Sequence, residues 1–186
     1  VVTVALWAQR LVVWFAAHGR RDRPWQGTRD AYRIWLSEIM LQQTQVTTVV
    51  PYFQRFVASF PDVAALAAAP IDHVLVHWSG LGYYRRAHHL HDAAKLITRN
   101  HGGVFPVDAA TLETLPGIGR STAAAIAAFS IGEQAAILDG NVKRVLARHV
   151  GIAGYPGEPR VAAMLWDIAV ARLPTHDIEA YTQSMM

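Results

Sequence analysis

The chain has 186 residues, 52% of them hydrophobic, enough for one large domain or two small lobes. Its 17 Lys and Arg stand against 14 Asp and Glu, a formal +3 with nine histidines in reserve, which permits a polyanionic partner without requiring one. Cysteine is absent, which excludes disulfides, a cysteine nucleophile and any thiolate-bound metal cluster within these residues.

Apolar residues recur at helical spacing along the whole chain. They predict helices near 3–18, 30–44, 46–59, 62–68, 71–78, 84–100, 109–114, 120–131, 141–150, 158–172 and 175–186. The opening stretch VVTVALWAQRLVVWFAAHG is interrupted by Gln9 and Arg10 and lacks a basic start and a small-residue cleavage site. It is too short to span a bilayer, so the expectation is a soluble, cytoplasmic protein with no membrane partner.

The second segment holds WLSEIMLQQTQ, in which Glu38 is the one charge. On a helical wheel Glu38 shares a face with Ala31, Ile34, Trp35, Leu41, Gln42 and Gln45. If that face packs inward, desolvation raises the carboxyl pKa, and a carboxyl still protonated near neutrality can act as a general acid. The alternative is a helix glutamate that snorkels to the rim.

The stretch LETLPGIGRSTAAAIAAF is the most specific signal. A short helix ends near Leu115, Pro116 blocks its continuation, and Gly117 and Gly119 permit a tight turn with close backbone approach. Ile118 plugs the turn into the core, and a second helix starts at Arg120 or Ser121. Bare N–H groups of such a turn and helix start form an anion site that suits a nucleic-acid phosphate. An ordinary helix–turn–helix corner is the alternative.

In ILDGNVKRVLARHV, Asp139 precedes a helix beginning near Asn141, and its ordinary role is the helix cap. A cap also favours the ionised carboxylate. Glu38 pushed toward protonation and Asp139 toward charge are the pattern of a glycosidic-bond hydrolase. The final segment, THDIEAYTQSMM, opens on Thr175 as a cap and stops without a closing signal, as though a helix were cut.

The stretches RPWQ, WLSEIMLQQTQV, PYFQRF, GLGYYRRAHHL, LPGIGRSTA and LDGNVKRVLAR together resemble the adenine DNA glycosylases of the MutY type. These are a branch of the helix-hairpin-helix glycosylase superfamily, and the similarity runs from about Trp14 to Met186. The resemblance implies an all-α, two-lobed fold with the DNA and base cleft between the lobes. Residues 30–135 would form the central lobe, with the helix-hairpin-helix near 109–131. Residues 1–29 and 136–186 would form the second lobe, truncated before the family's iron–sulfur region.

The implied reaction is removal of adenine mispaired with 8-oxoguanine or guanine in double-stranded DNA, after the base is flipped out. On this resemblance Glu38 matches the acid that protonates adenine, Asp139 the carboxylate that stabilises the sugar cation, and Asn141 the amide that holds them. Arg21, Trp25, Leu41 and Gln183 match the base pocket. Gln43 and Tyr83 match side chains that wedge into the duplex, with Thr44 and Leu81 near the opposing purine. Gly117 and Gly119 match the hairpin's backbone contacts, while Lys143 and Arg144 either meet phosphates or form a solvated basic face. Family members that also cut the strand carry a lysine where Ser121 stands, so a monofunctional enzyme is expected.

The resemblance also implies a [4Fe-4S] cluster, whose cysteines would lie beyond Met186, and a further 8-oxoguanine-recognition part. A monomer is expected, with no cofactor held by this chain. Arg23 departs from the family, which more often has leucine before Pro24. Three rivals stand beside this reading. One is a metal site at His73 and His77 or at His88, His89 and His91, on a stretch expected to be exposed. The others are a non-catalytic DNA-binding module built on the hairpin, and a glycosylase for an oxidised pyrimidine or mismatched thymine.

Overall fold

The computed structural model describes residues 4–186; the expected start of the first helix at Thr3 lies outside them. Among the described residues the chain forms eleven α-helices and no strand. They are α1 Val4–His18, α2 Ala31–Leu41, α3 Val46–Ser59, α4 Val63–Ala68, α5 Ile71–Trp78 and α6 Arg85–Asn100, followed by α7 Ala109–Glu113, α8 Arg120–Ile131, α9 Gly140–Val150, α10 Pro159–Ala171 and α11 Ile178–Met185.

Aspartates start four of these helices by accepting first-turn N–H groups that have no partner within the helix. Asp30 accepts from Tyr32 and Arg33, Asp62 from Ala65, Asp108 from Thr111 and Asp139 from Val142. Gly132 and Gly151 end α8 and α9 in the left-handed region, both at φ 72°.

The buried apolar residues fall into two clusters. The larger is built on α2 to α7, around the fully buried Trp35, Phe56 and Trp78. The smaller joins α1 to α9, α10 and α11 through Trp7, Leu146, Leu165 and Tyr181. Helix α8 serves both: Ala123, Ile126 and Ala127 pack into the first, Ala124 and Ala125 into the second. Every residue from Ala123 to Ala128 is buried, as expected of a helix that is apolar all round. Trp35 lies 5.1 Å from the Phe105 ring, and truncating a tryptophan in such a core costs about 3–5 kcal/mol.

Two expected boundaries are corrected. Helix α2 stops at Leu41, not near residue 44, because Gln42 leaves helical geometry at ψ 109° and Gln43 then turns left-handed at φ 57°. Gln42, directly after the helix, still lines the cleft with Ile34 and Glu38, whereas Gln45 does not. Helix α11 begins at Ile178, and Thr175 does not cap it; Asp177 precedes it at φ 56° with no side-chain cap bond. No helix among the described residues is long and apolar enough to cross a membrane.

Candidate functional site

Helix α2 packs on α8, and an extended run from Glu133 leads from the end of α8 to Asp139 at the start of α9. This arrangement opens a cleft of about 1720 Å³ that Glu38 on α2, Ser121 on α8 and Asp139 all line. The loop before α2, the turn after it and helix α11 complete the walls.

Glu38 is half-buried, below the fully buried neighbours Trp35 and Met40. Burial pushes its carboxyl up from 4.5 to about 7, and the negative charge of Asp139 adds to the shift. The inward-facing option for this glutamate is therefore the one the fold adopts. Asp139 is pinned at its cap: Oδ1 accepts the Val142 N–H at 2.8 Å and Oδ2 accepts Asn141 Nδ2 at 3.3 Å. Asn141 Oδ1 in turn accepts from Arg144, which faces the cleft. Behind Asp139, the Leu138 N–H donates to Ser121 Oγ at 2.9 Å.

The expected pocket residues Arg21, Trp25, Leu41 and Gln183 all line the same cleft, as do Gln43 and Thr44. Trp25 meets Phe53 edge-on at 5.3 Å, which fixes one wall to the larger core. Five expected contacts lie outside the cleft: Leu81, Tyr83, Gly117, Gly119 and Lys143. Tyr83 is 62% exposed at φ 49°, on the loop before α6. Leu81 is 5% exposed, its side chain part of the larger core.

The glycine turn is tight for one glycine only. The Ile118 N–H donates to Leu115 O at 3.2 Å across Pro116 and Gly117, with Gly117 at φ 76°, the geometry of a type II turn. A Cβ on Gly117 would lie 2.8 Å from that of His89. Gly119 is different, with φ −90° and nothing within 4 Å of an added Cβ. It precedes α8 without a side-chain cap, so the first N–H groups of that helix lack a side-chain acceptor there. Ile118 is buried, as expected.

Three of the candidate histidines make internal contacts. His77 bonds Ser59 Oγ at 2.8 Å and packs on His73 with ring centroids 4.8 Å apart. His91, expected on an exposed stretch, is 2% exposed and donates from Nε2 to Ala69 O at 2.9 Å. Its burial pushes the imidazole pKa down.

The HhH-GPD superfamily of base excision DNA repair proteins matches residues 36–169. This chain belongs to that superfamily. Among relatives in the HhH-GPD superfamily, the adenine DNA glycosylase of Buchnera aphidicola subsp. Acyrthosiphon pisum is 42% identical over 185 residues, covering 100% of this chain and 53% of that protein. The human adenine DNA glycosylase is 39% identical over 178 residues, covering 91% of this chain and 32% of that protein. The chain thus spans about half the length, or less, of the curated relatives it matches. A thermostable thymine-DNA glycosylase superposes with a TM-score of 0.88 at 25% identity, over 98% of this chain and 84% of that one. Endonuclease III trapped on DNA superposes at 0.78 with 18% identity over 96% of this chain and 80% of that one, a likeness of HhH-GPD fold alone.

One residue that bonds to the cleft wall was not singled out by sequence. Arg86 on α6 donates from Nη1 to the carbonyls of Ile39, Met40 and Gln42, and from Nη2 to Thr44 Oγ1, Leu81 O and Gly82 O. It stands beside the exposed Arg85, and a pair of adjacent arginines gives no sign of which one turns inward.

Proposed function

We propose that the chain carries the chemistry of a monofunctional adenine DNA glycosylase acting on adenine opposite 8-oxoguanine or guanine in double-stranded DNA. The observation that carries this reading is the pair of carboxyls in one cleft, with Glu38 raised to about 7 by burial and by the charge of Asp139. Two carboxyls held in different protonation states are what hydrolysis of a glycosidic bond needs.

Adenine flipped into the cleft stands between Trp25 and Leu41, with Gln183 and Arg21 as polar neighbours. Protonated Glu38 gives its proton to the adenine ring. The bond from the sugar carbon to the base then breaks, and its electron pair leaves with the base. Asp139, held by Val142 and Asn141, stabilises the cationic sugar. Water attacks the sugar carbon, and its proton returns to the Glu38 carboxylate, closing the cycle.

A lyase step would need an amine to form a Schiff base after the hairpin; here Ser121 offers a hydroxyl, engaged with Leu138. Gln43 and Tyr83 fill the gap left by flipping, and the open start of α8 at Gly119 takes a backbone phosphate. Lys143 and Arg144 add positive charge for the backbone. The two hydrophobic clusters act as the two lobes, and the chain works as a monomer. The 186 residues contain no cysteine, so none supplies a thiolate to a [4Fe-4S] cluster, and no step passes through one.

The likeness to a thymine-DNA glycosylase favours one second reading, removal of thymine opposite guanine. Single-turnover assays on duplexes with adenine opposite 8-oxoguanine, guanine or thymine, and thymine opposite guanine, separate the two. Release of adenine from the first two substrates, without strand cutting at a matching rate, is the expected outcome. Release of thymine alone, or cutting in step with base release, overturns it.

A further inference from the structure

We propose that Arg86 is a positioning residue which binds the turn carrying Gln43 and the loop carrying Tyr83 into one rigid wedge, so that both enter the duplex together. This rests on the base-flipping reading above and adds to it a residue that contacts neither base nor sugar.

Two costly backbone conformations flank the Arg86 guanidinium. Gln43 at φ 57° and Tyr83 at φ 49° are both left-handed without being glycine, a strained backbone for a residue with a side chain. Both residues are exposed, so packing of their own side chains does not hold them there. The Arg86 guanidinium does the holding. Nη1 serves the last carbonyls of α2 at Ile39 and Met40, both at 2.9 Å, and Gln42 O at 2.6 Å. Nη2 reaches Thr44 Oγ1 at 3.1 Å, so Gln43 is gripped on both sides. The same nitrogen reaches Leu81 O at 3.2 Å and Gly82 O at 3.3 Å, the two residues leading into Tyr83.

The Arg86 charge also lies 5.5 Å from the Tyr83 ring centroid and 5.4 Å from that of Trp78. The Arg86 N–H closes the loop on Tyr83 O at 2.9 Å. The fold tolerates a penalty for this: Nε is buried without a partner, and desolvation pushes the guanidinium pKa down. Carbonyls at the negative end of α2 compensate the charge. A lysine has three donors at a single point and cannot span two loops with a planar fork.

A residue that merely caps α2 would affect stability alone. The discriminating test is single-turnover adenine release by the intact protein from adenine opposite 8-oxoguanine, and from adenine opposite a tetrahydrofuran abasic analogue. In the second duplex the target adenine has no pairing partner, so less wedging is needed to flip it. We expect Arg86→Lys to lower release about tenfold or more on the first duplex and less than about threefold on the second. Fluorescence of 2-aminopurine at the target position should fall in parallel on the first duplex. Ile97→Val, a core change on the same helix, should destabilise without this selective loss.

Equal losses on both duplexes, or the same pattern from Ile97→Val, overturns the inference. If Arg86→Lys does not fold, Gln43→Ala and Tyr83→Ala decide the matter. Combined, they should lose within about twofold of the worse single change, and full additivity overturns the single-wedge idea. No base release and no fluorescence change from the unaltered protein would instead overturn the function reading, and this inference with it.

Discussion

Ser121 Oγ accepts the Leu138 N–H at 2.9 Å and so fastens the first turn of α8 to the residue preceding Asp139. Ser121 and Leu138 are 17 residues apart along the chain, and this one hydrogen bond ties the hairpin to the backbone next to the carboxylate. Ser121→Ala leaves that partly buried N–H without its acceptor, at about 1–2 kcal/mol by chemical denaturation. Adenine release should drop several-fold, since Asp139 loses its support, while affinity for the mismatched duplex stays nearly constant. An unchanged rate would detach Ser121 from the position of Asp139.

Glu38 binds its proton more tightly folded than unfolded, with a pKa of about 7 against an ordinary 4.5. Its contribution to stability is thus fully present below pH 4.5 and lost as pH rises through 7. The loss amounts to about 3 kcal/mol on the scale of 1.36 kcal/mol per unit. Glu38→Gln, which cannot ionise, should be more stable than the parent by up to that amount at pH 8 and equal to it near pH 4. The single-turnover rate of the parent should fall about tenfold per unit above pH 7, where the acid form is lost. A flat melting difference between pH 4 and 8 contradicts the buried proton.

Asp139→Asn separates capping from chemistry. Asparagine caps a helix about as well as aspartate, so α9 should keep its start and stability should change by less than about 1 kcal/mol. Adenine release should fall by about three orders of magnitude or more, because a neutral amide does not stabilise a cation. Binding of the mismatched duplex should survive. Loss of binding in step with activity would favour a DNA-binding module without catalysis.

The two hairpin glycines should respond in opposite ways. Gly117→Ala meets both a left-handed backbone and the His89 side chain, and should cost about 2 kcal/mol or more in stability. Gly119→Ala meets neither obstacle, so thermal stability should stay within about 0.5 kcal/mol. Its added methyl group points into the open space where a phosphate would sit, so duplex affinity should fall instead. Equal loss of stability in both variants would remove the case for an anion at Gly119.

Local signals were legible in the sequence where a single residue type decides the geometry. The spans of α5 and α8 agree to the residue, set by Pro70 before one and Gly132 after the other. Asp139 as a cap and the inward face of Glu38 follow from their immediate neighbours. What was not legible depends on distant partners. The early end of α2 is stabilised by Arg86, more than forty positions along the chain, so no local pattern reveals it. His91 reads as polar but is buried because Ala69 O lies ready to receive its N–H. Leu81 sits in a glycine-rich stretch that looks like a surface turn, yet its side chain faces the core.

Helix α8 leaves little freedom between the two halves of the molecule. Because α8 sends Ala123, Ile126 and Ala127 into one apolar cluster and Ala124 and Ala125 into the other, prising the groove wider would strip surface from each at once. On the proposed function the duplex is then the softer body: it has to kink to meet a stiff mould, and sequences that unstack readily should be engaged at lower energetic cost.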